Sequence, residues 1–199
     1  MSAQDDSLAL GLQMLAEDPQ AGRIPFAERA AWVRAAVDDG LRHAAAGSGR
    51  WGNDPDIIAR ACGVPVIDSD AMSGFGTTLV FAEYSTRQPG ITLYSGAIAQ
   101  LDRRIAGLPG YVIGHARTLF LAHELYHHLD CTDPRGPIAR RHPVTIFRLG
   151  RWRWTSGVRA LAEIAAGAFA QQLLGLTCHP RRLELLLVSR GSGHDKKAA

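Results

Sequence analysis

Apolar residues recur at helical spacing along much of this chain and give way to β-branched and aromatic runs in its second quarter. Leu8, Leu12 and Leu15 form one stripe, and Phe26, Ala30, Val33 and Val37 form another over residues 26–41. Asp18 and Pro19 separate the two, and Gly47, Ser48 and Gly49 close the segment, so residues 1–50 read as a two-helix appendage. Asp54 is placed to cap a short helix with Pro55 at its first position, and Gly63 stops it after Cys62. Val64–Ile67 predicts a short strand. Thr77–Tyr84 and Ile91–Tyr94, joined by a turn at Arg87–Gly90, predict an antiparallel pair. Ser95 can cap a helix to about Ile105, and Leu108, Pro109 and Gly110 break it. A helix beginning near Tyr111 or Gly114 continues through a Gly-free, Pro-free run from Ala116 to Leu129, and Leu161–Leu174 predicts another. The pattern is that of an α+β domain over residues 51–188, with helices packed on a small antiparallel sheet. The Gly, Ser and Lys content of Ser189–Ala199 predicts a disordered tail.

Composition adds bounds rather than detail. A chain of 199 residues, 46% hydrophobic and 21% charged, is long enough to bury one substantial core. It opens Met1, Ser2, Ala3, Gln4, Asp5, Asp6, with no cationic start before an apolar stretch, and no apolar run is long enough to span a bilayer. A cytoplasmic protein is the expectation. Cys62, Cys131 and Cys178 are widely spaced and form no C-x-x-C pair, which points to small core residues rather than a disulfide framework. The net charge of +3 conceals a division: residues 1–130 carry ten arginines against fifteen acids, and residues 131–199 carry twelve basic residues against four acids.

Candidate chemistry concentrates in His123, Glu124, Leu125, Tyr126 and His127, an H-E-x-x-H pentad inside the apolar run 116–129. On a helix, side chains four residues apart share a face, so both imidazoles can reach one metal ion. Glu124 lies one residue round and is better placed to act on a water held at the metal than to bind the metal itself. Two histidines and a glutamate among Leu119, Phe120, Leu121, Ala122, Leu125 and Leu129 require partners or a metal. A catalytic zinc commonly takes three protein ligands. The spacing does not continue to a G-x-x-H, since Asp130 and Asp133 occupy those positions, so a metzincin is not expected. Glu163 is the one acid in the apolar helix 161–174, where a buried carboxylate needs a cation; a solvated position near the helix start is its other reading.

These segments together resemble the ImmA/IrrE metallopeptidases. The likeness rests on Asp56-Ile57-Ile58-Ala59 leading to Gly63-Val64-Pro65-Val66, and on Gly90-Ile91-Thr92-Leu93-Tyr94. It continues in Phe120-Leu121-Ala122-His123-Glu124-Leu125-Tyr126-His127 and in Glu163 followed by Ala166, Phe169, Ala170, Leu173 and Leu174. It covers roughly residues 54–176. The resemblance implies a zincin-like, gluzincin-type domain with His123, His127 and Glu163 as zinc ligands and Glu124 as the catalytic carboxylate. It also implies peptide-bond hydrolysis, with a helix-turn-helix transcriptional repressor as substrate, in phage, mobile-element or stress-response circuits. Tyr126 stands where the family has a small glycine, Gly167 where it has Asn, and Gly175-Leu176 where it has Met-Pro. Those departures leave open a second class of function, a zinc-binding module that regulates a repressor by binding without cutting. A broad-specificity peptidase is a third.

Between the two motifs lies a segment unlike the rest. Arg135, Arg140, Arg141, Arg148, Arg151, Arg153 and Arg159 accompany Trp152 and Trp154, and no acid occurs between Asp133 and Glu163. Alternation at Arg151-Trp152-Arg153-Trp154 fits a half-buried strand; the arginines also fit a positive surface for an acidic peptide or for nucleic acid held by a partner. No nucleic-acid module is recognisable, so direct nucleic-acid binding is not expected. His128 falls about 100° from His127 and reads as a supporting or surface residue. Asp130 can orient a ligand imidazole or cap the helix end. Tyr84, Tyr94, His142 and His179 are candidate donors to an oxyanion.

Overall fold

The computed structural model describes residues 3–71, 73–75, 78–106, 115–177 and 179–181. The Leu108-Pro109-Gly110 break, the helix start at Tyr111 or Gly114, Cys178 and the tail 189–199 lie outside them. The chain is a mixed α and β structure of helices α1 (Ala3–Glu17), α2 (Phe26–Trp51), α3 (Pro55–Ala61), α4 (Ser95–Ile105), α5 (His115–Thr132), α6 (Ile138–Arg141) and α7 (Arg159–Leu174). Its strands are β1 (Val66–Ser69), β2 (Ser73–Phe75), β3 (Thr78–Val80), β4 (Ala82–Ser85), β5 (Gly90–Tyr94), β6 (Val144–Leu149) and β7 (Trp152–Ser156). No helix among the described residues is long and apolar enough to cross a membrane.

Local chemistry explains several boundaries. Asp54 accepts the Asp56 N–H at 2.9 Å, Pro55 sits at the start of α3, and Gly63 follows its end with φ +70°. Ser95 does not cap α4: Tyr94 holds the cap position without a side-chain capping bond, because β5 runs directly into the helix. The α7 cap comes from far away in sequence, as Asp18 accepts the Ala160 N–H at 2.9 Å and satisfies a free donor of the first turn.

The main sheet has the order β1-β5-β4. The β4–β5 pair is antiparallel, but β1 runs parallel to β5 with Val66 opposite Ile91 and Tyr94 opposite Ser69. The sheet is therefore mixed rather than antiparallel. The chain leaves β1, makes the β2–β3 hairpin and returns through β4, which places β5 between β4 and β1. β5 alternates toward the core, with Ile91 and Leu93 fully buried.

The expected appendage is instead part of the same core. Leu15, Val33, Ala36 and Ala44 belong to one buried cluster with Leu121, Leu125, Ile164 and Phe169. The buried face of α2 is Val33, Ala36, Asp39, Gly40, Ala44 and Gly47, while Phe26 is exposed. Small residues at this spacing let two helix backbones approach: a methyl group on Gly40 would collide with the Ala165 carbonyl and lie 2.9 Å from the Phe169 amide. The facing stretch of α7, Ala165 to Ala168, is equally small and buried. Close contact over several turns supplies dispersion energy that bulky side chains would prevent. Cys62 is partly buried and Cys131 exposed, so neither is the fully buried core residue expected.

Candidate metal centre

Helix α5 is built for burial on most sides, with Leu121, Ala122, Leu125 and Tyr126 inaccessible to solvent. Its amino-terminal turn is held by Arg117, which donates to Asp56 at 2.9 Å and to Asp68 at 3.0 Å, tying it to α3 and β1. His123 and His127 emerge four residues apart, and their Nε2 atoms stand 3.2 Å from each other. Helix α7 packs along α5 and brings Glu163 to them: its carboxylate lies 3.1 Å from His123 Nε2 and 3.7 Å from His127 Nε2. The three candidate ligands thus converge.

Their separations can be tested against a metal. Donors bound at about 2.0–2.1 Å in a tetrahedron stand about 3.3 Å apart. Distances of 3.1, 3.2 and 3.7 Å bracket that value. Two imidazole nitrogens and a carboxylate also suit zinc chemically. Glu124 offers a carboxylate oxygen within 4.8 Å of a ring nitrogen of each histidine, close enough to act beside the ligand set. Burial would raise the Glu163 carboxyl, but hydrogen bonds and charge from His123 and His127 outweigh it and hold the group well below the usual carboxylate range. It is half-exposed, keeping 42% of its side-chain surface. The cluster is therefore open on one side.

The surroundings assign the remaining candidates. His128 is buried, with Nδ1 3.2 Å from the Tyr84 hydroxyl, and burial lowers its pKa; it is a packing residue rather than a surface one. Asp130 accepts the Ile138 N–H at 2.8 Å, so it fixes the start of α6 against the end of α5. Tyr94 donates to Glu83 at 2.7 Å. His142 packs on Trp32, with ring centroids 5.2 Å apart. His179 is buried against α7, one turn beyond Glu163. A Cβ on Gly167 would lie 2.5 Å from its Cε1 and Nε2 atoms. Glycine at 167 is what leaves space for that ring.

Tyr126 has an equally definite role. It is fully buried with its ring edge-on to His127, centroids 6.1 Å apart, and its hydroxyl donates to Asp39 Oδ2 at 2.8 Å. Burial, with the charges of Asp130 and Asp39 beside it, pushes the phenol pKa up, so the group remains a donor. Asp39 also pairs with Arg42 and Arg135 at 2.9 Å and with Arg141 at 2.8 Å. Asp133 pairs with Arg42 and Arg135 at 2.8 Å and lies 3.1 Å from His43 Nε2. This second polar cluster was not anticipated from the sequence. The available signal was Asp39 itself, an acid between Ala36 and Gly40 on the small-residue face of α2.

No protein-family model, no curated protein and no solved structure matches the chain.

Proposed function

We propose that this chain is a zinc-dependent metallopeptidase with a zincin-like arrangement of helices on a small sheet. The convergence of His123, His127 and Glu163 at tetrahedral spacing carries the proposal. When bound, zinc would lower the pKa of a coordinated water toward neutrality and polarise a carbonyl oxygen. His123 and His127 would each supply Nε2, and Glu163 a carboxylate oxygen. Glu124 is the general base, taking a proton onto its carboxylate and returning it to the leaving amine. Strand β4 lies at the edge of its sheet and packs against α5, so an extended peptide can add to that edge and pass the centre.

The substrate we infer is a helix-turn-helix transcriptional repressor, an inference that rests on the motif resemblance to ImmA/IrrE peptidases. The test is cleavage of a repressor encoded beside this gene, followed by gel and mass spectrometry, with an unrelated unfolded protein as control. Glu124→Gln should lower turnover by about 10²–10⁴-fold while keeping about one zinc per chain. Equal cleavage by wild type and Glu124→Gln would refute the mechanism. Tight repressor binding without any cut by zinc-loaded wild type would replace it with regulation by sequestration.

A further inference from the structure

The segment expected as a half-buried strand forms the β6–β7 hairpin, and both faces of its outer part, from Phe147 to Thr155, are exposed. Its register sets Phe147 opposite Trp154, Arg148 opposite Arg153 and Leu149 opposite Trp152. Cross-strand partners project to the same side and neighbours to opposite sides. One face is therefore Phe147, Leu149, Trp152 and Trp154, which are 58%, 67%, 75% and 74% exposed. The other carries Arg148 and Arg153, and Arg151 stands at the turn. The base is clamped, since Arg23 donates to the Ile146 carbonyl at 3.3 Å beside the bulge between Thr145 and Phe147.

A two-stranded hairpin is marginal in water unless a hydrophobic face is covered. This one displays on the order of 600 Å² of apolar surface, the upper end of what a monomer ordinarily exposes. We propose that the apolar face of β6–β7 is a self-association surface, covered by the same face of a second copy of this chain. Stacking the two faces about a two-fold axis removes about 1,200 Å², the lower end of the range for stable protein interfaces. Two hairpins then form a four-stranded sandwich with both arginine faces in water.

That segregation of charge also argues against a nucleic acid as occupant. A nucleic acid stacked on the tryptophans would need cations on the same face to meet its phosphates. The proposal is independent of zinc and of peptidase activity.

Sedimentation velocity on the full chain tests it, across about 1–100 µM. Wild type should pass from monomer to dimer in that range. Trp152→Ser with Trp154→Ser should weaken association at least about a hundredfold, since buried tryptophans dominate interface energies. Arg148→Ser with Arg153→Ser should leave it intact. Far-UV circular dichroism and a cooperative thermal unfolding transition confirm that each variant is folded. A wild type that stays monomeric at 100 µM overturns the proposal, as does a dimer that survives loss of both tryptophans. Wild-type monomer that binds anionic vesicles or single-stranded DNA would reassign the face to that ligand.

Discussion

Two polar clusters lie beside helix α5, one built on its own histidines and one on α2 and the segment that follows α5, and they contrast in how charge is balanced. On one side His123, His127 and Glu163 meet within 3.7 Å, with one formal negative charge and no arginine or lysine paired to it among the described residues. On the other, Asp39 and Asp133 lie beside His43 with donor atoms as close together as in a metal site. There the cations are already present, in Arg42, Arg135 and Arg141. A divalent ion would add to three guanidinium charges in the second cluster and would neutralise a carboxylate in the first. Proximity of ligand atoms is thus common to both. What separates a candidate metal centre from a structural ion network is the lack of a permanent counter-charge: the cations beside Glu163 are histidines, which can give up a proton, whereas those beside Asp39 and Asp133 include arginines, which cannot.

The strongest way to break this contrast is to remove one acid from each side and measure zinc by elemental analysis. Glu163→Ala should reduce zinc from about one per chain to a small fraction. Loss of a direct ligand exceeds the 10–100-fold that outer-shell partners cost. Asp133→Ala should retain zinc. Retention in Glu163→Ala with loss in Asp133→Ala would reverse the assignment of the two clusters.

The second measurement is stability. Asp39 is buried and gathers three arginines with the Tyr126 hydroxyl, joining α2 to both ends of the segment 126–141. Breaking a buried pair by removing one partner costs about 3–5 kcal/mol. Arg42 and Arg135 keep access to water, and only Arg141 is left largely enclosed, so Asp39→Ala should fall near the lower end, about 3 kcal/mol by urea unfolding. A loss below about 1 kcal/mol would show that water replaces the carboxylate and that the network does not hold α2 to α5.

These two clusters also mark what a sequence discloses. Elements whose signals are local were legible: the Asp54-Pro55 cap, the stop at Gly63, the β4–β5 hairpin and the long runs of α5 and α7. So were the four residues of the candidate site, because His123, Glu124 and His127 are neighbours on one helix and Glu163 is conspicuous on another. Relations set by distant contacts were not. The parallel β1–β5 pairing joins segments separated by three other strands, and the close α2–α7 approach depends on Gly40, flanked by the buried Ala36 and Ala44, small residues that an apolar-stripe analysis weighs too lightly. Tyr126 and Gly167 looked like departures within the site. Each is explained by a partner elsewhere in the chain, Asp39 for the tyrosine and the His179 ring for the glycine.

The smallest effect sharpens the contrast through pH. Burial, aided by the Arg42 charge, lowers the pKa of His43 despite the opposing charges of Asp39 and Asp133. His142, against Trp32, is lowered by burial and by Arg141. Both are neutral in the folded chain at a pH where the unfolded chain, with histidine near 6.5, begins to bind protons. The unfolded state therefore takes up more protons, and stability falls as pH drops through about 6.5 toward the lower folded values. Thermal unfolding of zinc-free protein should show a lower midpoint at pH 5.5 than at pH 7.5. His43→Gln, which cannot titrate, should lose part of that difference. An undiminished difference in His43→Gln would mean that the arginine cluster shields His43 from the proton balance and that the acid sensitivity of the fold lies elsewhere.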